Sequence, residues 1–268
     1  MKTKLFILFL LSSLLQACEL EKTIDVEIPG QEPQLVAEAY LTRNEKLQVL
    51  LLETDTYFDT LRIPIINDAR VILLKPDGFS DTLTPRITPD LKNRKVSNYV
   101  TEFPIDSAEG NYRLRIEHNG RILEGVARFL PPPLVDTIEI QYNPEADSAV
   151  RFLFWIKDFP GQANYYRIMM NEDSLSGPSV LEFPFADNNL DGSLFPIGTT
   201  YRFEKDKKYH LRIFHIDQQY YAYLRALSAA DRANGNPFAQ PSSIRSPMAG
   251  NGYGIFSSLN YIQKVLNP

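Results

Sequence analysis

The sequence predicts a mainly β protein: two antiparallel β-sandwich domains of Ig-like or transthyretin-like type in tandem, the second with an inserted α-helix. Three observations lead there. Period-two alternation recurs in short segments on both sides of a Pro131-Pro132-Pro133 run. Aromatic residues make up 12% of the chain, with 14 Tyr and 16 Phe, and flat, stiff side chains suit a pleated surface. Helical spacing is convincing in one place, after Asp217. With 268 residues, 44% of them hydrophobic and 23% charged, the chain is long enough for two domains of roughly 100–130 residues.

At the N-terminus, Lys2 and Lys4 precede an apolar stretch from Leu5 to Leu15. Eleven residues at about 1.5 Å each cannot cross a hydrocarbon core of about 30 Å, so the stretch reads as the h-region of an export signal. Leu15-Gln16-Ala17-Cys18 then resembles a lipobox, with an aliphatic residue, a small residue before the scissile bond and the cysteine. Gln16 stands where a small residue is usual. Cys18 is the only cysteine, so no internal disulfide can form. The competing reading is an ordinary secretory signal with a chance cysteine. The expectation is a lipoprotein signal peptide over 1–17, cleaved before a lipidated Cys18. The resemblance implies a diacylglyceryl thioether there, and two or more acyl chains anchor a protein stably. Residues 18–33 carry five acids, one Lys, two Pro and a Gly, which reads as a flexible stalk reaching at most about 50–60 Å.

Residues 34–130 read as the first sandwich. Leu35, Ala37, Ala39 and Leu41 alternate with Glu38 and Tyr40, and Tyr112, Leu114 and Ile116 alternate with Arg113, Arg115 and Glu117. Pro76-Asp77-Gly78 marks a turn, and Asn119-Gly120 a hairpin between Tyr112–His118 and Arg121–Phe129. Prolines 131–133 cannot donate to a ladder and prefer an extended conformation, so 131–135 reads as a connector.

Residues 136–268 read as the second sandwich. Ile138, Ile140 and Tyr142 alternate, as do Val150, Phe152, Phe154 and Ile156; Trp155 is expected as buried packing in that strand. Tyr165–Asn171 and Tyr209–Asp217 are further strands. Tyr220, Tyr223, Leu224 and Leu227 fall at helical spacing, with Asp217 placed to cap the start and Gly235 the end, predicting a helix near 218–234. Leu259–Leu266 reads as the final strand.

Chemistry is sparse. Lys+Arg 28 against Asp+Glu 33 gives −5, and losing Lys2 and Lys4 with the signal takes this to about −7, without the cationic footprint that nucleic acid demands. His210 and His215 sit five apart on one strand and so face opposite ways, and His118 is remote, which argues against a shared metal site or a histidine triad. No Gly-x-Ser-x-Gly elbow, His-Glu-x-x-His or phosphate loop occurs. Asp187, Asn189 and Asp191 fit the first half of a calcium loop ahead of Gly192, but the twelfth position is Gly198, not the bidentate Glu an EF-hand needs. A polar turn is the competing reading. Gly250-Asn251-Gly252-Tyr253-Gly254 precedes Ile255-Phe256 and reads as a turn or bulge before a strand. The pairs Tyr165-Tyr166 and Tyr220-Tyr221 could form a sugar or partner platform, or one ring of each could pack inward. No cofactor is expected.

The C-terminal string is the most distinctive part: the tyrosine-bearing stretch Asp217–Gly235, then Asn236-Pro237-Phe238, then Gly252-Tyr253-Gly254-Ile255-Phe256. With Ile24-Asp25, Gly110-Asn111-Tyr112-Arg113-Leu114 and Pro132-Pro133 leading to Asp136, it resembles the Bacteroidota outer-membrane lipoproteins grouped as domain-of-unknown-function family 4249. The resemblance covers essentially the whole chain after the signal. It implies an outer-membrane protein held by its lipid anchor, at the cell surface or the periplasmic face. It also implies a non-catalytic accessory role in nutrient uptake beside a TonB-dependent receptor. The alternative is a cell-surface hydrolase, or a carbohydrate-binding accessory to one, whose site the sequence does not reveal. The family defines no catalytic residues, and none is expected here.

Overall fold

The structure, a computed structural model, describes residues 32–55, 64–90, 95–106, 108–187, 192–233 and 245–268. The signal segment, Cys18 and nearly all of the stalk lie outside the described residues. So do Asn189, Asp191 and the expected helix stop at Gly235.

Alternation produces the first strand directly. In β1 (Leu35–Leu41), residues Leu35, Ala37, Ala39 and Leu41 are buried while Val36, Glu38 and Tyr40 point to the other face. There follow β2 (Gln48–Glu53), β3 (Arg70–Leu74), β4 (Ser80–Thr82), β5 (Thr84–Asp90), β6 (Lys95–Val100), β7 (Asn111–His118) and β8 (Arg121–Arg128). The expected hairpin joins β7 and β8, with His118 opposite Arg121. Asn119 (φ 47°) and Gly120 (φ 75°) supply the two left-handed residues that a tight type I′ turn requires.

Beyond the prolines come β9 (Leu134–Asn143), β10 (Ala146–Lys157), β11 (Tyr165–Glu172), β12 (Ser179–Ala186), β13 (Leu194–Gly198), β14 (Phe203–Glu204) and β15 (Tyr209–Ile216). The one described helix, α1 (Gln218–Ala233), starts where Asp217 caps it: Asp217 Oδ1 accepts from Tyr220 N at 2.7 Å. The chain ends in β16 (Ala249–Gly250), β17 (Gly252–Ser258) and β18 (Asn260–Leu266).

The molecule is mainly β, with antiparallel sheets stacked as sandwiches. One pair of sheets, ordered β17-β1-β2-β6-β5 and β16-β8-β7-β3-β4, encloses a core of aliphatic side chains with Tyr99 and Tyr112. The other, with β9, β13 and β14 flanking β10 and with β12-β11-β15-β18, encloses an aromatic core around Phe152, Phe154, Tyr166 and Tyr209. Trp155 is a correction to the expected burial. It is half-buried on the outer face of β10, its Nε1–H donating to Glu139 at 2.8 Å, because Phe154 and Ile156 already face the core.

A division at 131–135, with everything from 136 to 268 in a second sandwich, does not describe the chain. β16 and β17 return to the first pair of sheets, and β18 goes back to the second. β17 runs parallel to β1, from Leu35 opposite Gly252 to Leu41 opposite Ser258, so this sheet is mixed and not purely antiparallel. Gly252 and Gly254 make that approach possible: a Cβ on either would fall well inside van der Waals contact of the Leu35 or Ala37 carbonyl oxygen. A bulge was one expectation for this glycine string; what it provides is clearance for a neighbouring backbone. The strand also ties down the helix cap, since Ser257 Oγ donates to Asp217 Oδ2 at 2.6 Å.

These packing constraints predict a graded mutational response by urea denaturation. Gly254→Ala should cost about 2 kcal/mol or more through overpacking against the β1 backbone. Gly78→Ala, with positive φ but open space around it, should cost about 1 kcal/mol. Asp217→Ala should cost about 1 kcal/mol, with Asp217→Asn retaining most of the cap.

Candidate functional site

The outer faces of two sheets meet between the sandwiches. From the first come the outward residues of β1, β2 and β6: Glu38, Tyr40, Gln48, Leu50, Lys95 and Ser97. From the second come Arg167 and Met169 of β11 and Phe214 of β15, with Tyr220 of α1. Phe214, Ile216, Tyr220 and Ile255 form a small third core here, flanked by Tyr40, Tyr165 and Met169. Beside it opens a cleft of about 130 Å³.

Two of the cations at this cleft are held in ion pairs. Lys95 Nζ is ion-paired to Glu38 and lies 4.5 Å from the Tyr40 ring centroid. Arg167 is nearly buried; its Nε and Nη2 donate to Glu182, and its Nη1 donates to the Tyr220 hydroxyl at 2.6 Å. Tyr220 is in turn hydrogen-bonded to Tyr40, whose ring centroid is 5.3 Å away. One chain of polar contacts therefore runs from β12 through β11 and α1 to β1, across the junction. Burial holds both tyrosine hydroxyls above the ordinary tyrosine range. Burial also lowers Lys95, to about 8, with Arg167 adding repulsion. On the β1–β2 turn, Glu45 and Lys46 line the same cleft as exposed side chains, and neither forms an ion pair among the described residues.

A second hollow, of about 490 Å³, lies over Val36, Leu50, Leu52, Tyr223 and Tyr253. It is larger but its lining is mostly apolar, whereas the first cleft concentrates groups that can orient a ligand.

The residues singled out in the sequence sit elsewhere. Asp187 is buried, and its Oδ2 accepts from Asn164 N at 2.8 Å and Asn164 Nδ2 at 3.1 Å. Asn164 Nδ2 also donates to Asp158 Oδ1 at 2.8 Å, and Gly192 N donates to Asp158 Oδ2 at 3.0 Å. Asp187 thus clips the β10–β11 loop to the end of β12. Burial raises the Asp158 pKa, helped by its hydrogen bond with Asp187. Among the described residues no group of three or more His, Cys, Asp or Glu could hold a metal ion.

The three histidines stay apart. His118 meets Asp68 at 3.0 Å, His210 meets the Asp173 carbonyl at 3.0 Å, and His215 is buried. His215 Nδ1 donates to the Pro131 carbonyl at 2.8 Å, which places its proton on that nitrogen. Its ring stacks between Phe159 and Tyr166, at 5.0 and 5.3 Å, and burial lowers its pKa. Of the tyrosine pairs, Tyr166 and Tyr220 are buried, and Tyr165 and Tyr221 pack together at 4.9 Å beside the junction. Tyr166 fills the second core, while Tyr165, Tyr220 and Tyr221 pack at the junction, so neither pair presents an open double platform.

The residues that sequence reasoning missed are Glu38, Lys95 and Arg167. Glu38 lies in a strand whose alternation was legible, and that pattern gave it an outward face. Its partner, 57 positions on, carries no local signal.

Lys95 offers a pH test. Its pKa is about 8 in the folded chain against 10.5 unfolded, so between those values the unfolded chain binds more protons and the lysine's contribution to stability rises with pH. The stability of the wild type relative to Lys95→Met, from urea midpoints, should therefore increase from pH 8 to about 10.5. Tyrosine titration is common to both proteins and cancels. A flat or falling difference would contradict a lowered pKa at Lys95.

Comparison with known proteins adds the following. The family model described as "Domain of unknown function (DUF4249)" matches residues 21–264. No curated protein matches the chain. Among solved structures, a chain described as "Cytokine receptor complex - Crystal form 1A" aligns at 10% identity. The alignment covers 86% of this chain and 95% of that one, with a TM-score of 0.28. No described helix is long and apolar enough to cross a membrane. With its family model spanning nearly all of the sequence after the first twenty residues, the chain belongs to the DUF4249 family of unknown function.

Proposed function

We propose that this protein is a lipid-anchored outer-membrane binding protein. In this reading it serves nutrient uptake beside a TonB-dependent receptor and does no chemistry of its own. The observation that carries the binding role is the cleft between the sandwiches. Two of its cations are pre-paired, Lys95 with Glu38 and Arg167 with Glu182, and its walls come from strands of both sandwiches. Groups held in this way orient a ligand without reorganising, which lowers the entropic cost of binding. The anchor rests on the order Lys2, Lys4, Leu5–Leu15 and Leu15-Gln16-Ala17-Cys18, with the only cysteine at its end. One chain holds a protein marginally, whereas the two or three implied at Cys18 hold it stably.

Two measurements test this. In fractionated cells the wild type should co-sediment with outer membrane and take up labelled palmitate, and Cys18→Ala should lose the label and the membrane association. Affinity capture of the tagged wild type from detergent-solubilised outer membrane should recover a TonB-dependent receptor identified by mass spectrometry. A Cys18→Ala protein that stays in the membrane removes the anchor. A capture that repeatedly yields no transporter removes the uptake role.

A further inference from the structure

We propose that the cleft between the two sandwiches binds a free amino acid with an apolar side chain, its carboxylate facing Lys46 and Lys95 and its ammonium facing Glu38 and Glu45. This rests on the reading of the chain as a binding protein and names what that cleft would take.

Charge balance is the first ground. Lys46, Lys95, Glu38 and Glu45 line the cleft together with Arg167, and Arg167 is already occupied by Glu182 and Tyr220. A ligand carrying one sign of charge would take up one partner of the Lys95–Glu38 pair and leave the other uncompensated, which is costly. A zwitterion satisfies both. Lys46 and Glu45 are adjacent in sequence and unpaired among the described residues, so one acidic and one basic group stand ready at the same end. Lys95, whose ammonium is disfavoured by burial and by Arg167, gains from a second carboxylate.

Size and wall chemistry narrow the class. At about 130 Å³ the cleft is below the roughly 300–1,000 Å³ of pockets that hold drug-sized ligands, so a single residue suits it and a long peptide does not. Leu50, Met169 and Phe214 supply an apolar wall for a side chain. Carbohydrate is the weaker fit. Sugars favour an open aromatic face, and the Tyr40 ring is already engaged by Lys95 Nζ at 4.5 Å and Tyr220 at 5.3 Å.

The test is isothermal titration of the full lipidated chain in detergent with L-leucine, N-acetyl-L-leucine, L-leucinamide and glucose. Leucine should bind at one site, and blocking its ammonium or its carboxylate should weaken binding at least about tenfold, a 1.4 kcal/mol difference. Lys46→Met and Glu45→Gln change exposed, unpaired side chains, so the fold should survive. Each should weaken leucine by about fivefold or more. Lys46→Met should shrink the gap between leucine and leucinamide, and Glu45→Gln the gap between leucine and N-acetyl-leucine. No heat with leucine up to about 20 mM, where even a millimolar site is saturated, would overturn the proposal. So would equal affinity for all three leucine compounds, or glucose binding in their place. Membrane anchoring and receptor capture are independent readouts, so a failure here with those intact removes the ligand class and leaves the binding role standing.

Discussion

The architecture depends on the parallel pairing of β17 with β1. β1 is hydrogen-bonded to β2 on one side and β17 on the other, so a strand from near the end of the chain, 217 positions on, completes this sheet of the first sandwich. Backbone-to-backbone approach at this point leaves no room for a Cβ, and Gly252 and Gly254 meet that steric demand. From there the consequences spread. Ile255 packs into the junction core beside Phe214, Ile216 and Tyr220, and Ser257 holds the Asp217 carboxylate that caps α1. With α1 positioned, Tyr220 can receive Arg167, and the cleft acquires its back wall.

The chain crosses between sandwiches at the prolines, after α1 and again between β17 and β18. Two of these crossings are pinned by hydrogen bonds: at the prolines, Pro131 O accepts from His215 at 2.8 Å and Leu130 O from Asn260 Nδ2, and between β17 and β18, Leu259 N donates to Leu41 O at 2.8 Å. A single linker would let two sandwiches swing relative to one another. Two pinned crossings hold the facing sheets in one arrangement, which suits a cleft whose two walls must keep register. The buried aromatic contacts of the second core, such as Phe152 with Tyr209 at 5.6 Å, give that half a stiff body on which β11 and β15 are mounted.

Legibility followed side-chain periodicity. β1, β7, β8 and the first turn of α1 were readable because each buries one face and exposes the other. β6 was not, because its buried residues include Ser97 and Asn98. The Asn98 side chain accepts from Leu51 N and donates to the Leu51 and Ile66 carbonyls, standing in for a stretch of backbone ladder. A polar residue doing the work of a peptide group looks like a loop in one dimension. Trp155 misled for the opposite reason: it is a large apolar residue in an apolar run, and it faces outward because its neighbours Phe154 and Ile156 face in.

The sequence by itself determined the β class, the Asn119-Gly120 hairpin, the helix with its Asp217 cap and the family to which the chain belongs, because these rest on contacts within a few residues or on motifs in fixed order. Tertiary structure alone decided that β16 and β17 join the first half of the chain, and that Glu38 meets Lys95 while Arg167 meets Tyr220. Those pairings depend on which sheet faces lie opposite each other once both cores are packed, and no local pattern encodes that.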